Sequence, residues 1–555
     1  MKHDFAAKRI RLGAVYTTTL LANWVASVLV SMMESKRMAV LDPACGDGAL
    51  LAALKSQGVS RLVGVDCDRQ ALNLARRRLG SGRFHHADGL MFLADAARGG
   101  GTLDAVIANP PWGAALTLDR NALASMGYRP LSGQTDSWDL FVDGVLRAVK
   151  PGAPIVLILP DAMFLPEHRS IREILAKDSQ VRMVARLGEG FFPGVYRGVV
   201  VVAARKGAPR RNSVVACARL SPDARRKILA GRVSLASEVG QVLHRVPQVR
   251  FSARPDYRFD IDTCERDHTR LSIVEERLFP WDQWLHIGRG IELSKSGRIV
   301  QCPRCDTARP VPRRSGVTCP TCRHRWSPVD GSITTIVRKN DGAQRHGWYP
   351  LIVGQDVDRY ECVASRLIRI GVRGIRYKPL ATFAQPKLLV RKTGVGLKAV
   401  VDHTGAATNQ VVFHFACRPE TPSLILDYLA GVLCSRVMLA WHLKRQGEIE
   451  WRSHPYITPR VIRSFPVPVP EAHDDWLQVQ AIAGAVRSRR SVRRHDSPED
   501  LMVERLVAGM FRLSGEDMRW VLEVLDSVQQ LEPIRTLRLP SASLVSPLRV
   551  VRGAA

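Results

Sequence analysis

Residues 38–205 alternate short apolar runs with helical stretches, and this pattern constrains the fold more than any other feature. The runs are Ala39–Leu41, Leu62–Val65, Ala105–Ala108, Ile155–Leu159, Val181–Leu187 and Val199–Ala203. Strands separated by helices predict an α/β domain with a mostly parallel sheet. The last two runs are joined by a Gly/Pro-rich connection, Gly188–Gly198. They are expected to pair as an antiparallel hairpin at the sheet edge, which makes the sheet mixed.

Past Lys206 the pattern changes: Pro, Gly and Arg become common, long helices become rare, and four cysteines cluster at 302–322. Helical periodicity returns from about Trp476, including Leu501–Phe511 and Met518–Val528. A chain of 555 residues exceeds what one core usually serves. The expected domains are 1–206, 207–470 as an irregular α+β domain with a cysteine module at about 300–326, and a helical segment 471–555. The net charge of +29 is unevenly spread. Residues 1–206 hold 26 basic and 18 acidic side chains, 207–470 hold 43 and 22, and the rest hold 12 of each. A basic middle third without long apolar stretches favours a nucleic-acid groove over a membrane face.

Seven of the eleven cysteines are scattered without a pairing pattern, so a reducing compartment, the cytoplasm, is expected. The apolar run Leu20–Met33 follows Lys8, Arg9 and Arg11 and so mimics a signal peptide. It contains Asn23 and Trp24, lacks a small-residue cleavage site, and is too short to span a bilayer, so it reads as a buried helix.

The segment Asp42-Pro43-Ala44-Cys45-Gly46-Asp47-Gly48 leaves the first strand and enters a glycine-containing turn before a helix. Such a turn brings backbone close to a ligand at the carboxyl edge of a sheet. Asp66, at the end of the next strand, is placed to accept hydrogen bonds from ribose hydroxyls. A dinucleotide site uses similar parts, but the G-x-G-x-x-G fingerprint is absent and an acidic loop repels a pyrophosphate. S-adenosylmethionine, a phosphate-free cofactor with a sulfonium and an ammonium, suits Asp42 and Asp47 better. Asp88, in the turn Ala87–Leu90, is expected to meet the adenine amino group.

The strand Asp104–Ala108 runs directly into Asn109-Pro110-Pro111-Trp112. Two prolines end the ladder and hold a stiff loop where the cofactor methyl group would lie. An exocyclic adenine amine is a poor nucleophile, because its lone pair is delocalised into the ring. The Asn109 side-chain oxygen and the Pro110 carbonyl can accept its two N–H bonds and favour a pyramidal nitrogen. Trp112 is expected to stack on a base flipped out of the duplex.

On these residues the chain resembles the adenine-N6 DNA methyltransferases of restriction-modification and related anti-phage systems. Gly13-Ala14-Val15-Tyr16-Thr17-Thr18 looks like their N-terminal cofactor motif, with Thr18 where the family usually has Pro. The resemblance implies a Rossmann-like catalytic domain that binds S-adenosylmethionine through Tyr16, Thr17, Asp42, Ala44, Gly46, Asp47, Gly48, Asp66, Asp88 and Asn109. It assigns catalysis to Asn109, Pro110, Pro111 and Trp112. Leu187–Pro193 resembles a later motif that implies Phe192 packs on the flipped base. The stretches Pro350–Val357, Pro386–Arg391, His454–Ile457 and Phe465–Pro468 look like parts of target-recognition domains. Multi-gene phage-defence systems such as DISARM carry an adenine methylase of this kind, and that methylase is the closer resemblance considered. The implied partners are double-stranded DNA and other chains of a defence system, a nuclease or helicase, with no membrane. Only fifteen residues precede Tyr16, so the chain is expected to modify DNA and not to cut it.

Cys302-Pro-Arg-Cys305 and Cys319-Pro-Thr-Cys322 have the spacing of two knuckles closing one tetrahedral zinc site. Four thiolates leave no open position, so the metal is expected to be structural. Arg304, Arg309, Arg313, Arg314, Arg323 and Arg325 lie on or beside the loops and are candidates for phosphate or guanine contacts. Two rival functions are a protein or RNA methyltransferase, since Asn-Pro-Pro-aromatic also serves glutamine amides, and a catalytically silent DNA-binding subunit.

Overall fold

The computed structural model describes residues 16–550 apart from 115, 117–118, 130–134, 196, 254–255, 276–278, 294–295, 312–315, 328–332, 395–396, 447–456, 491, 493–496, 529–536 and 538–539. Gly13–Val15, Arg313, Arg314 and His454–Tyr456 lie outside the described residues. The chain divides into two compact units, Met1–Arg266 and Asp267–Ala555.

The first unit is built on nine strands: β1 (Ala39–Asp42), β2 (Arg61–Asp66), β3 (Arg83–His86), β4 (Ala105–Ala108), β5 (Pro154–Pro160), β6 (Ser179–Gly188), β7 (Val199–Lys206), β8 (Val214–Arg219) and β9 (His244–Pro247). Their order is β3-β2-β1-β4-β5-β7-β6-β8-β9. The strands β1 to β5 run parallel, and β1 has β2 on one side and β4 on the other. Successive connections therefore leave β1 in opposite directions. The crevice this opens at the carboxyl ends of β1 and β4 is the usual ligand position in such sheets. The helix Thr19–Met32 buries Leu21, Val25, Ala26 and Leu29 completely, as the reading of a buried helix requires.

The hairpin of β6 and β7 forms antiparallel as expected, but it is not at the edge. β7 inserts between β5 and β6, and β6 carries β8 in parallel, with β9 antiparallel beyond it. Small residues around Val215 and Cys217, and His244 and Arg245 before Val246, hide these two strands from a composition reading, although all three apolar side chains are fully buried. The sheet thus continues past Lys206, where the sequence reading ended the first domain, and the unit closes at Arg266.

The second unit has an antiparallel sheet in the order Leu285–Arg289, Val412–Cys417, Lys387–Arg391, Ala399–Asp402. A second sheet pairs Val337–Lys339, Arg366–Arg369, Trp348–Ile352 and Ala407–Thr408. The helices Leu424–Leu433, Arg436–Gln446, His473–Arg489, Pro498–Met510 and Gly515–Asp526 share one core with the first of these sheets. The segment beyond 471 is therefore part of this unit's core. No single helix among the described residues is long and apolar enough to cross a membrane.

Candidate active site

β1 delivers Asp42 into the crevice at 1% exposure, where its Oδ1 accepts a hydrogen bond from the Ala44 amide at 3.1 Å. The Cys45 amide donates to the Val65 carbonyl at 2.9 Å, which ties the turn to β2. Gly46 adopts φ +52°, and its amide donates to Asp66 Oδ2 at 2.7 Å. A Cβ on Gly46 would stand 3.2 Å from the Tyr16 ring, so the aromatic lies directly on the turn. Gly48 adopts φ +78°, and a Cβ there would meet Leu79 Cδ1 at 2.7 Å. Both conditions favour glycine at this position.

Three carboxylates converge on this loop. Burial pushes Asp42 up to about 8, and the charges of Asp66 and Asp47 add to the effect. Burial also raises Asp66, against the opposing pull of the Asp68 and Gly46 amides. Asp47 pairs with Arg78 at 2.9 Å. Buried acids that repel one another are relieved by a cationic ligand, so the donor set fits a sulfonium and an ammonium.

Tyr16, Thr17, Asp42, Ala44, Gly46, Asp47 and Asn109 line one cavity. Cys45, Ala49 and Leu50 line it too, and the sequence had not singled them out. Gly48, Asp66 and Asp88 are not on its wall. Asp66 instead braces the turn through Gly46. Asp88 caps the helix Gly89–Arg98, its Oδ1 accepting from the Leu90 amide at 2.8 Å.

β4 delivers Asn109–Trp112 to the same crevice. Asn109 Nδ2 donates to Thr17 Oγ1 at 3.2 Å, which joins this loop to the segment before the first helix. Pro110 is buried, and Trp112 is 6% exposed. Trp112 and Phe192 meet edge to face, with ring centroids 5.3 Å apart and an interplanar angle of 88°. The two aromatics that the sequence assigned to a flipped base are thus brought together. From behind, Ser137 Oγ donates to the Pro111 carbonyl at 2.6 Å, and the Gly113 amide donates to Asp136 Oδ1 at 2.7 Å. Asp136 and Ser137 escaped the sequence reading because an Asp-Ser pair before an apolar helix looks like an ordinary cap.

In the second unit the Sγ atoms of Cys302, Cys305, Cys319 and Cys322 all lie within 4.8 Å of one another. Cys302 and Cys322 are 3.5 Å apart, as are Cys305 and Cys319. None forms a disulfide. Each C-x-x-C turn ends on a left-handed residue, Asp306 at φ +55° and Arg323 at φ +59°. Their amides return to the Cys302 and Cys319 carbonyls at 2.9 and 3.1 Å. Tetrahedral zinc with Zn–S bonds of about 2.3 Å needs sulfurs about 3.8 Å apart, so this cage fits the ion. Arg309 is spent on the Thr318 carbonyl at 2.8 Å, whereas Arg304, Arg323 and Arg325 are exposed.

Comparison with known proteins matches residues 2–227 to the N-6 DNA methylase family and residues 349–467 to TaqI-like C-terminal specificity domains. The Type II methyltransferase M.BanIII of Aneurinibacillus aneurinilyticus is 26% identical over 246 residues, which cover 38% of this chain and 40% of that protein. The chain thus spans about 40% of the length of this curated relative. Among solved structures, the type IIG restriction endonuclease BpuSI is similar at 15% identity and a TM-score of 0.43, over 98% of this chain and 68% of that one. The DrdV–DNA complex is similar at 10% identity and a TM-score of 0.47, over 86% and 58%. Residues 2–227 of this chain thus match the N-6 DNA methylase family, and a stretch that matches TaqI-like specificity domains follows them in the same polypeptide.

Proposed function

We propose that this chain is a site-specific DNA methyltransferase that moves a methyl group from S-adenosylmethionine to the N6 amino group of a flipped adenine. It acts in the cytoplasm as the modification component of a restriction-modification or phage-defence system, on double-stranded DNA and alongside separate nuclease or helicase chains. The observation that carries this reading is that Asn109 lines the same cavity as the acidic loop of Asp42, Gly46 and Asp47. The TaqI-like match and the basic excess of residues 207–470 support DNA over a protein or RNA substrate.

S-adenosylmethionine, when bound, supplies a methyl group on a positively charged sulfur. Asp42 and Asp47 offer that charge a counter-charge, and Tyr16 covers the glycine turn. Asn109 Oδ1 and the Pro110 carbonyl accept the two N–H bonds of the amine, which localises its lone pair. Trp112 and Phe192 part to flank the base, which must leave the duplex for its N6 edge to be reached. The four-cysteine cage holds one structural zinc that orders the arginine-bearing loops.

Asn109→Ala tests the assignment, because it removes an acceptor aimed at the amine and leaves the acidic loop intact. Methyl transfer should fall by about 10² to 10³ while calorimetric affinity for S-adenosylmethionine stays near the parent value. Activity within about threefold of the parent removes Asn109 from the mechanism.

A further inference from the structure

The catalytic loop has a polar support that its sequence motif does not contain. Ser137 Oγ donates to the Pro111 carbonyl at 2.6 Å and accepts from the Ala114 amide at 3.2 Å. Asp136 Oδ1 accepts from the Gly113 amide at 2.7 Å. Asp136 is held in turn, since its own amide donates to Asp139 Oδ2 at 2.9 Å. His168 Nδ1 faces both Asp139 oxygens at 2.9 Å, and its ring lies 4.6 Å from that of fully buried Trp138. Ser137 and Asp139 are each 3% exposed, which shields their bonds from water, whereas the Gly113–Asp136 bond lies at an exposed residue.

His168 sits on the segment that follows β5, and that segment is itself anchored. Arg172, 2% exposed, donates from Nη1 to the Met163 and Leu165 carbonyls at 2.6 Å each. Its Nε and Nη2 reach the Tyr257 and Asp256 carbonyls at 3.1 Å. A buried guanidinium satisfied by four carbonyls fixes the segment that presents the imidazole. The Leu165 carbonyl that Arg172 holds also accepts from the His168 amide at 3.2 Å, and from the His168 ring the bonds run through Asp139, Asp136 and Ser137 to both sides of Trp112.

We propose that Asp136, Ser137, Asp139 and His168 are positioning residues that hold the Asn109–Trp112 loop in register with the cofactor cavity. Two prolines stiffen the loop but deprive it of two amide donors, so bonds to the Pro111 carbonyl and to the Gly113 and Ala114 amides fix the chain on both sides of Trp112. The relay grips all three. Its stake in the reaction rests on the reading of Asn109–Trp112 as the methyl-transfer loop, because misplacing a reacting group by about 1 Å costs on the order of 10² in rate.

The test is hydrogen exchange by mass spectrometry on the full chain, with the parent, Ser137→Ala, His168→Leu and His168→Asn. Exchange at the Gly113 and Ala114 amides should rise about tenfold in Ser137→Ala and His168→Leu, while peptides from β1 and β5 keep the parent rate. His168→Asn places an amide donor near the Nδ1 position and should restore the parent protection. In duplex methylation, kcat should fall about 10-fold to 10²-fold in Ser137→Ala, with the Kd of S-adenosylmethionine unchanged. Parent-like exchange at Gly113 and Ala114 in Ser137→Ala overturns the relay, and so does faster exchange spread evenly over the first unit. Should His168→Leu not fold, Ser137→Ala decides alone, since it deletes one hydroxyl. If the parent transfers no methyl to any DNA, the functional reading fails, and the exchange data still decide the relay.

Discussion

Asp42 sits at 1% exposure beside two other carboxylates, and its proton makes the site pH-sensitive. An unfolded chain releases that proton in the usual carboxylate range, whereas the folded chain keeps it up to about pH 8. Between these limits the folded state binds more protons, so the cofactor-free protein loses stability as pH rises through the window. A cationic ligand favours the ionised form. S-adenosylmethionine affinity should therefore climb with pH toward about 8 and level off above it, with proton release visible in buffers of different ionisation heat. Asp42→Asn should flatten both profiles, and parallel profiles for parent and variant would remove Asp42 from the cofactor site. Asp42, Gly46 and Asn109 were legible in the sequence because each belongs to a contiguous motif. Asp136, Ser137, Asp139 and His168 were not, because folding brings His168 to Asp139 across 29 positions of sequence.

At the scale of elements, the cofactor loop depends on a helix that does not adjoin it in sequence. Gly89 begins the helix Gly89–Arg98, and a Cβ there would lie 2.1 Å from the Pro43 carbonyl and 2.8 Å from the Phe141 ring. Because the first of these atoms is backbone, no side-chain rotation relieves the clash. Gly89→Ala should cost about 1 to 3 kcal/mol in urea unfolding and weaken S-adenosylmethionine binding by displacing Pro43. Parent-like stability and affinity together would mean that the helix slides at no cost. Apolar runs identified β1, β2, β4, β5, β6 and β7, but β3 consists of the half-exposed or exposed residues Arg83–His86, and β8 is a short run of Val, Ala and Cys that ends in Arg. Short strands with small or polar residues carry too little apolar signal to stand out.

At the scale of the whole molecule, the C-terminal helices are bound to the rest of the second unit by buried charge. Arg359 and Arg436 meet Glu504 at 2.6 and 3.0 Å, and Arg436 and Arg489 meet Asp500 at 2.9 and 3.2 Å. Asp500, Glu504, Arg436 and Arg489 have no side-chain exposure. Removing one partner leaves buried charge uncompensated, so Glu504→Gln should cost about 3 to 5 kcal/mol in denaturant unfolding. A loss under about 1 kcal/mol would mean that the cluster relaxes or admits water. Loss of zinc should act on the second unit alone. Cys305→Ser should release one zinc per chain by mass spectrometry and weaken duplex binding at fixed salt, because the loops bearing Arg304, Arg323 and Arg325 lose their tether. S-adenosylmethionine affinity should persist, since the cavity belongs to Met1–Arg266 and the cage to Asp267–Ala555. Parent protein purified without chelators and found free of zinc would refute the cage.

The sequence by itself determined the α/β class of the first unit, the loops that meet at its switch point, and the four-cysteine cage. Each of these is written in local order: an apolar run followed by a turn, or cysteines at fixed spacing. Only the tertiary structure decided that the hairpin lies inside the sheet, that Asp88 caps a helix, and that residues beyond 471 complete the second core. It also decided what stands behind the catalytic loop. These outcomes depend on which distant surfaces exclude water together, and hydrogen bonds such as those of Ser137 and Asp139 acquire their strength only once that burial is complete.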